Sequence, residues 1–236
     1  MRTRLGRVRD DTPDAALHNA AWVARCVGRG AAVPHGLEAV EGLAELIEVV
    51  QYPRGSVVFD AGEPASAVLI IRRGALGLLA GSAPHRVMLA MLHPGDVDGD
   101  LALLMGMPAV YGAEAIDDTE CLRIPADGFD HLLARHPVLA RRWLTSIAGR
   151  LAASQQRLID LLGVPLPQQV ARVLLDESDS GQVPYPQATI AALLGARRPS
   201  VNKVVKDLEA RGLVTVAYRS ITVEDAAKLA AFAGRP

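Results

Sequence analysis

Cysteine is almost missing from the chain: Cys26 and Cys121, far apart, are the whole complement. Two such thiols support neither a disulfide framework nor a CxxC metal site, and they fit a reducing cytoplasm. They also fall short of the four thiolates that an iron–sulfur cluster takes from one subunit. Aromatic residues are scarce at 4%, while half the chain is apolar, so its cores must be built from Leu, Val, Ile and Ala. No run of 18 apolar residues occurs, which excludes a membrane-spanning helix. The basic stretch MRTRLGRVRDD leads into no apolar run, so it does not read as a secretory signal. No Ser/His/Asp or Cys/His set carries the local signature of a catalytic site, which speaks against an enzyme.

Cations are missing locally. From Val87 to Leu122 there is no Lys or Arg, although GDVDGDLALLMGMPAVYGAEA, residues 95–115, reads like the rim of a pocket. The net charge of −1 hides an uneven distribution. Residues 51–136 carry six basic against eleven acidic residues, residues 137–165 four against one, and residues 166–236 nine against seven. An acidic middle is followed by a basic C-terminal part, and such placement says more than the total.

What is present falls into three textures. Residues 1 to about 50 look mostly helical, with Ala-rich stretches at Ala15–Val27 and Leu37–Val49. From Tyr52 to about Pro125, short apolar runs (SVVFD, AVLII, ALGLL, RVMLAML, CLRIP) alternate with glycine turns. That spacing predicts an antiparallel β-roll or barrel. A long helix follows over Pro137–Leu162, where Leu144, Ile147, Leu151, Ser154, Leu158 and Leu161 recur at alternating steps of three and four. A helix packed on its own domain gives a similar stripe; the sharper reading is the seam of a parallel dimer. Pro165 and Pro167 then end the helix as a hinge.

Beyond the hinge, QQVARVLLDES is a short amphipathic helix, and QATIAALLGARRPSVNKVVKDLEARGL spells helix, glycine-containing turn, helix. Val201, Val204, Val205 and Leu208 form the apolar face of the second helix, Pro199 suits its first turn and Gly212 closes it. The opposite face carries Arg197, Arg198, Ser200, Asn202, Lys203 and Lys206. VTVAYRSITV reads as a β-hairpin wing. A helix of this size fits the major groove, where Arg pairs with guanine and Asn with adenine. Lys203, Lys206, Arg211 and the helix N-terminus suit phosphate.

The ordered combination of RGSVVFDAGEPASAVLIIRRGALGLL, HPGDVDGDLALL and TIAALLGARRPSVNKVVKDLEARGLV resembles the CRP/FNR family of bacterial transcription regulators over about residues 40–225. The resemblance implies an α+β chain: helices and an antiparallel β-roll (a double-stranded β-helix of the cyclic-nucleotide-binding type) over 1–136, a dimerisation helix and hinge over 137–164, and a winged helix-turn-helix over 165–236. It implies a cytoplasmic homodimer that reads a two-fold symmetric duplex and works with RNA polymerase. Arg198 matches a base-reading Arg of the family and Lys203 a second basic base contact, whereas Pro199 replaces a base-reading Glu. In the pocket it implies Gly99, Asp100 and Leu101, with Asp100 for a ribose hydroxyl and Ser154 for the base. The Arg–Ser pair that grips a cyclic phosphate falls on Val110 and Tyr111.

A buried anion without a charged partner is expensive, which weakens cyclic AMP as effector and favours another second messenger, a less anionic ligand stacking on Tyr111, or none. Backbone N–H groups alone can bind anions, so a cyclic nucleotide stays open. Asp96, Asp98 and Asp100 resemble the start of a calcium loop, but its sixth and twelfth positions are Leu101 and Met107, which favours a solvated turn. His85 and His93 read as surface residues rather than haem ligands. The alternative function is a ligand-binding or protein-interaction dimer whose helix-turn-helix does not read DNA.

Overall fold

The computed structural model describes residues 7–8, 12–27, 37–81, 87–217 and 220–234. Contacts divide the chain into two compact units, Met1–Leu151 and Ala152–Pro236. Among the described residues, no helix is long and apolar enough to cross a membrane.

The first unit holds two antiparallel sheets. One runs in the order β1 (Arg7–Val8), β2 (Glu48–Tyr52), β9 (Thr119–Pro125), β4 (Ala67–Arg73) and β7 (Val97–Asp98). The other runs β3 (Val57–Phe59), β8 (Gly112–Ala115), β5 (Leu76–Ala80) and β6 (Val87–Leu92). Strand β4 shows why they assemble. Its AVLII run is apolar on both faces, as a strand covered on both sides must be. Leu69 and Ile71 join Val50, Leu76, Leu78 and Cys121 between the sheets. Val68 and Ile70 turn the other way, towards Val23, Leu43, Phe129 and Trp143 of a helical layer. That layer consists of α1 (Pro13–Cys26), α2 (Leu37–Leu46), α4 (Ala126–Arg135) and the start of α5 (Pro137–Gly163).

Two local expectations need correction. The second helix stops at Leu46 rather than Val49, because Glu48–Tyr52 pairs with β9 in the register Val49↔Leu122, which buries Val49 and Val50. Burial on a sheet outweighs the helical texture upstream. The pocket-like segment also contains a short helix, α3 (Asp100–Met105), which Gly99 introduces. At Gly99 φ is +83°, and an added Cβ would sit 2.4 Å from the Ala67 carbonyl oxygen, so this turn requires glycine.

The second unit contains the rest of α5, then α6 (Leu166–Asp176), β10 (Gln182–Val183), α7 (Gln187–Leu193), α8 (Arg198–Ala210), β11 (Val214–Ala217), β12 (Ser220–Val223) and α9 (Ala226–Phe232). Val170, Leu174, Ile190, Val201, Val205, Leu208 and Leu229 are completely buried and form its core. Strands β11 and β12 make the expected hairpin, with β10 added on the far side of β12. Tyr218 and Arg219 lie outside the described residues, as does His85.

Candidate functional site

The helix-turn-helix is built from its apolar spacing. Val201, Val205 and Leu208, four and three residues apart, are buried along one stripe of α8. Arg197 is the N-cap and Pro199 lies in the first turn, where its missing N–H removes no intrahelical bond. At the far end Gly212 takes φ +69°, and Leu213 donates back to the Leu208 carbonyl at 3.0 Å, a left-handed stop that glycine favours. The stripe leaves Arg197, Arg198, Ser200, Lys203 and Lys206 exposed and Asn202 half-buried. None of these four cations forms an ion pair among the described residues. Arg211 differs: it pairs with Asp207 at 3.0 Å and lies over the Phe232 ring at 5.2 Å.

On α5, Leu144, Leu151 and Leu158 are each about 60% exposed, Ser154 is exposed and Ile147 packs partly into the helical layer. The Leu161 side chain lies outside the described residues. Ser154 and Leu158 belong to the second unit.

Gly99, Leu101, Val110 and Tyr111 line one cavity of about 200 Å³ in the β-roll. Val58, Phe59, Leu69, Met105 and Met107 supply apolar wall, while Glu63, Asp98 and Arg123 supply charge. Val110 is 75% exposed at the rim. Asp100 is not in the wall. It is fully buried, and its carboxylate accepts from Trp143 Nε1 at 2.7 Å, from the Leu101 amide at 2.9 Å and from the Arg150 guanidinium. Arg150 also donates to the Val97 carbonyl, so α5 is fastened to β7 and α3 by one charged knot. Trp143 in turn meets Phe129 edge-on, 4.8 Å between centroids.

Asp98 is buried too, accepting from the Tyr111 hydroxyl at 2.6 Å. The expected solvated aspartate turn is therefore not solvated at Asp98 or Asp100: β7 and α3 turn both side chains inward. No group of three or more His, Cys, Asp or Glu suited to a metal occurs among the described residues. Burial pushes the Asp98 carboxyl above the ordinary range, partly offset by the Tyr111 hydroxyl and the Gly99 amide. Burial, followed by the neighbouring Asp98 charge, holds the Tyr111 phenol protonated. Burial also lifts the Cys121 thiol to about 12, which leaves it unreactive at neutral pH. Neither Cys26 nor Cys121 forms a disulfide.

Sequence reasoning missed Arg123, Trp143 and Arg150, and read Asp98 only as part of a solvated turn. The cation-free window ended at Leu122, and the next residue enters the cavity wall from β9. Arg123 is not a free charge, however, because Glu48 holds it at 2.7 Å.

A β-roll with a ligand-sized cavity, a long helix and a winged helix-turn-helix define a DNA-binding transcription regulator. A cyclic nucleotide-binding domain model matches residues 49–136 and a Crp-like helix-turn-helix model residues 168–232. The chain belongs to the CRP/FNR family. It is 46% identical over 212 residues to the HTH-type transcriptional regulator Cmr of Mycobacterium tuberculosis, spanning 90% of this chain and 87% of that one. It is 28% identical over 203 residues to that organism's CRP-like cAMP-activated global transcriptional regulator, covering 81% and 91%. Among solved structures, a CRP-family transcriptional regulator from Thermus thermophilus is similar at 25% identity and TM-score 0.66, over 78% of this chain and 96% of that one. These relatives are regulators of transcription, not enzymes.

Proposed function

We propose that the protein works in the cytoplasm as a homodimer that places two copies of α8 in successive major grooves of a palindromic duplex and there acts on RNA polymerase. The observation that carries this reading is the exposed basic face of α8, without an ion pair among the described residues, opposite a completely buried apolar stripe. Arg198, with Arg197, Ser200 and Asn202, reads base edges; Lys203 is a second base contact or, with Lys206, meets phosphates. Dimerisation is supported by Leu144, Leu151 and Leu158, whose exposure on one helix stripe would be costly in a lone chain. The β-roll is an effector domain without the family's phosphate grip, since Val110 and Tyr111 stand in its place. Asp100 is a brace between roll and helix rather than a ribose contact, because protein donors already occupy it.

The experiment is duplex selection from a random pool with the full chain, followed by titration of the selected site against salt. The expected result is a two-fold symmetric site bound by a dimer, with affinity falling by a log–log slope of about −0.9 for each phosphate neutralised. A chain that sediments as a dimer yet binds no duplex at low salt would instead favour a ligand-binding or interaction dimer.

A further inference from the structure

We infer that the β-roll cavity takes a largely apolar small molecule, neutral or cationic, whose hydrogen-bond donor is received by the Asp98–Tyr111 pair, and that it discriminates against anions. This rests on the reading of the roll as an effector domain and names the chemistry of its ligand.

Three independent features of the wall point the same way. Its cation, Arg123, is already neutralised by Glu48 at 2.7 Å, so the wall offers no free positive charge to an incoming anion. Its most buried charged residue is a carboxyl, Asp98, 5% exposed. One Asp98 oxygen takes the Tyr111 hydroxyl at 2.6 Å, and beside the Gly99 amide the other, Oδ2, is buried with no partner in full hydrogen-bond geometry among the described residues. A buried acceptor left unsatisfied is costly, and a ligand donor that the Asp98 side chain turns to meet removes that cost. An anion would give up water to meet the Asp98 and Glu63 carboxyls, while the wall cation Arg123 is already paired with Glu48. The third feature is the apolar remainder. Phe59 and Tyr111 sit together at 6.3 Å between ring centroids, and exposed Met105 and Met107 adapt their shape to an irregular hydrocarbon body. Val110, 75% exposed, makes the rim apolar where the resemblance puts an arginine.

The probes are three molecules with one tail and different heads, 1-octylamine, 1-octanol and sodium octanoate, with cyclic AMP beside them, titrated calorimetrically into the full chain. The amine and the alcohol are expected to bind, with octanoate and cyclic AMP weaker by at least about tenfold, the size of one good hydrogen bond. Tyr111→Phe and Asp98→Asn should each erode that preference. Val110→Arg changes only an exposed rim residue and should reverse it towards octanoate. Equal binding of octanoate or cyclic AMP, failure of both the amine and the alcohol to bind, or indifference to Tyr111→Phe and Asp98→Asn would each overturn the inference. Duplex affinity of the ligand-free protein, read by fluorescence anisotropy, separates the two proposals. Intact DNA binding with no probe preference sinks the ligand class alone. A retained preference without DNA binding sinks the regulator reading alone.

Discussion

The β-roll pocket and the helix-turn-helix are both glycine-punctuated stretches that match family motifs, yet they dispose of their polar groups in opposite ways. On α8 the cations face outward and form no ion pair among the described residues. Around the pocket most charged groups are turned into the protein and spent on partners there: Asp100 on Trp143 and Arg150, Asp98 on Tyr111, Arg123 on Glu48. The lesson concerns function as much as packing. A surface evolved for a polyanion keeps its donors unsatisfied until the partner arrives, whereas donors already satisfied within the fold have become structure. A motif match alone does not separate these cases; the hydrogen-bond partners do.

The comparison breaks if substitutions in the two regions act alike, and the largest test lies in the roll. Trp143 is 1% exposed, packs on Phe129 and donates to Asp100. Trp143→Ala should cost about 3–5 kcal/mol by urea unfolding, the usual range for a buried aromatic truncated to alanine. Asp100→Asn keeps the volume but leaves the Arg150 guanidinium with a neutral partner and sets an amide against donors. Its expected cost is about 1–3 kcal/mol of stability, moderated because Arg150 is about a third exposed. If both variants stayed as stable as the parent and failed only in ligand binding, Asp100 would be a ligand residue and not a brace.

The opposite pattern is expected on α8. Arg198→Ala should leave unfolding unchanged, because the side chain is exposed and forms no ion pair among the described residues, and should weaken the selected duplex by about 1–3 kcal/mol while relaxing preference at one base pair. Lys206→Ala should weaken all duplexes evenly and reduce the salt slope by about one. A loss from Arg198→Ala that is equal across every sequence would move that arginine from reading bases to holding phosphate.

How much of this was legible in the sequence follows from the distance over which each feature is encoded. The helix-turn-helix is local. Its stripe of Val201, Val205 and Leu208, its start at Pro199 and its stop at Gly212 all lie within fifteen residues, so periodicity and turn chemistry suffice. The roll was legible for the same reason, as short apolar runs between glycines, and the wing as alternating apolar and polar residues around a short turn. The pocket's inner chemistry is not local. Asp100 meets partners 43 and 50 residues away, and Arg123 meets Glu48 across 75 residues. Only sheet register and the docking of α5 bring them together. Three aspartates at alternate positions looked like a polar turn, and nothing in their spacing says that β7 and α3 bury two of them. Helix α4 and strand β10 went unread because each is short and enclosed by stronger turn signals.

The smallest expected effect bears on Asp98, the buried pocket carboxyl. Burial raises its pKa above the value in the unfolded chain, with Tyr111, Gly99, Asp100 and Arg150 modifying the shift. The folded state therefore holds the proton more tightly than the unfolded state does. By linkage, stability associated with this group is fully present below the unfolded carboxyl range and is lost as pH rises from there through the higher folded value. Asp98→Asn keeps an oxygen to accept the Tyr111 hydroxyl but has no charge to bury. It should melt above the parent at neutral pH, with the gap narrowing as the buffer is acidified towards the ordinary carboxyl range. Thermal melts of both proteins across that interval check the sign. A gap that widens on acidification would mean that Asp98 is stabilised as an anion, and the pocket would then hold a positive field that its wall does not display.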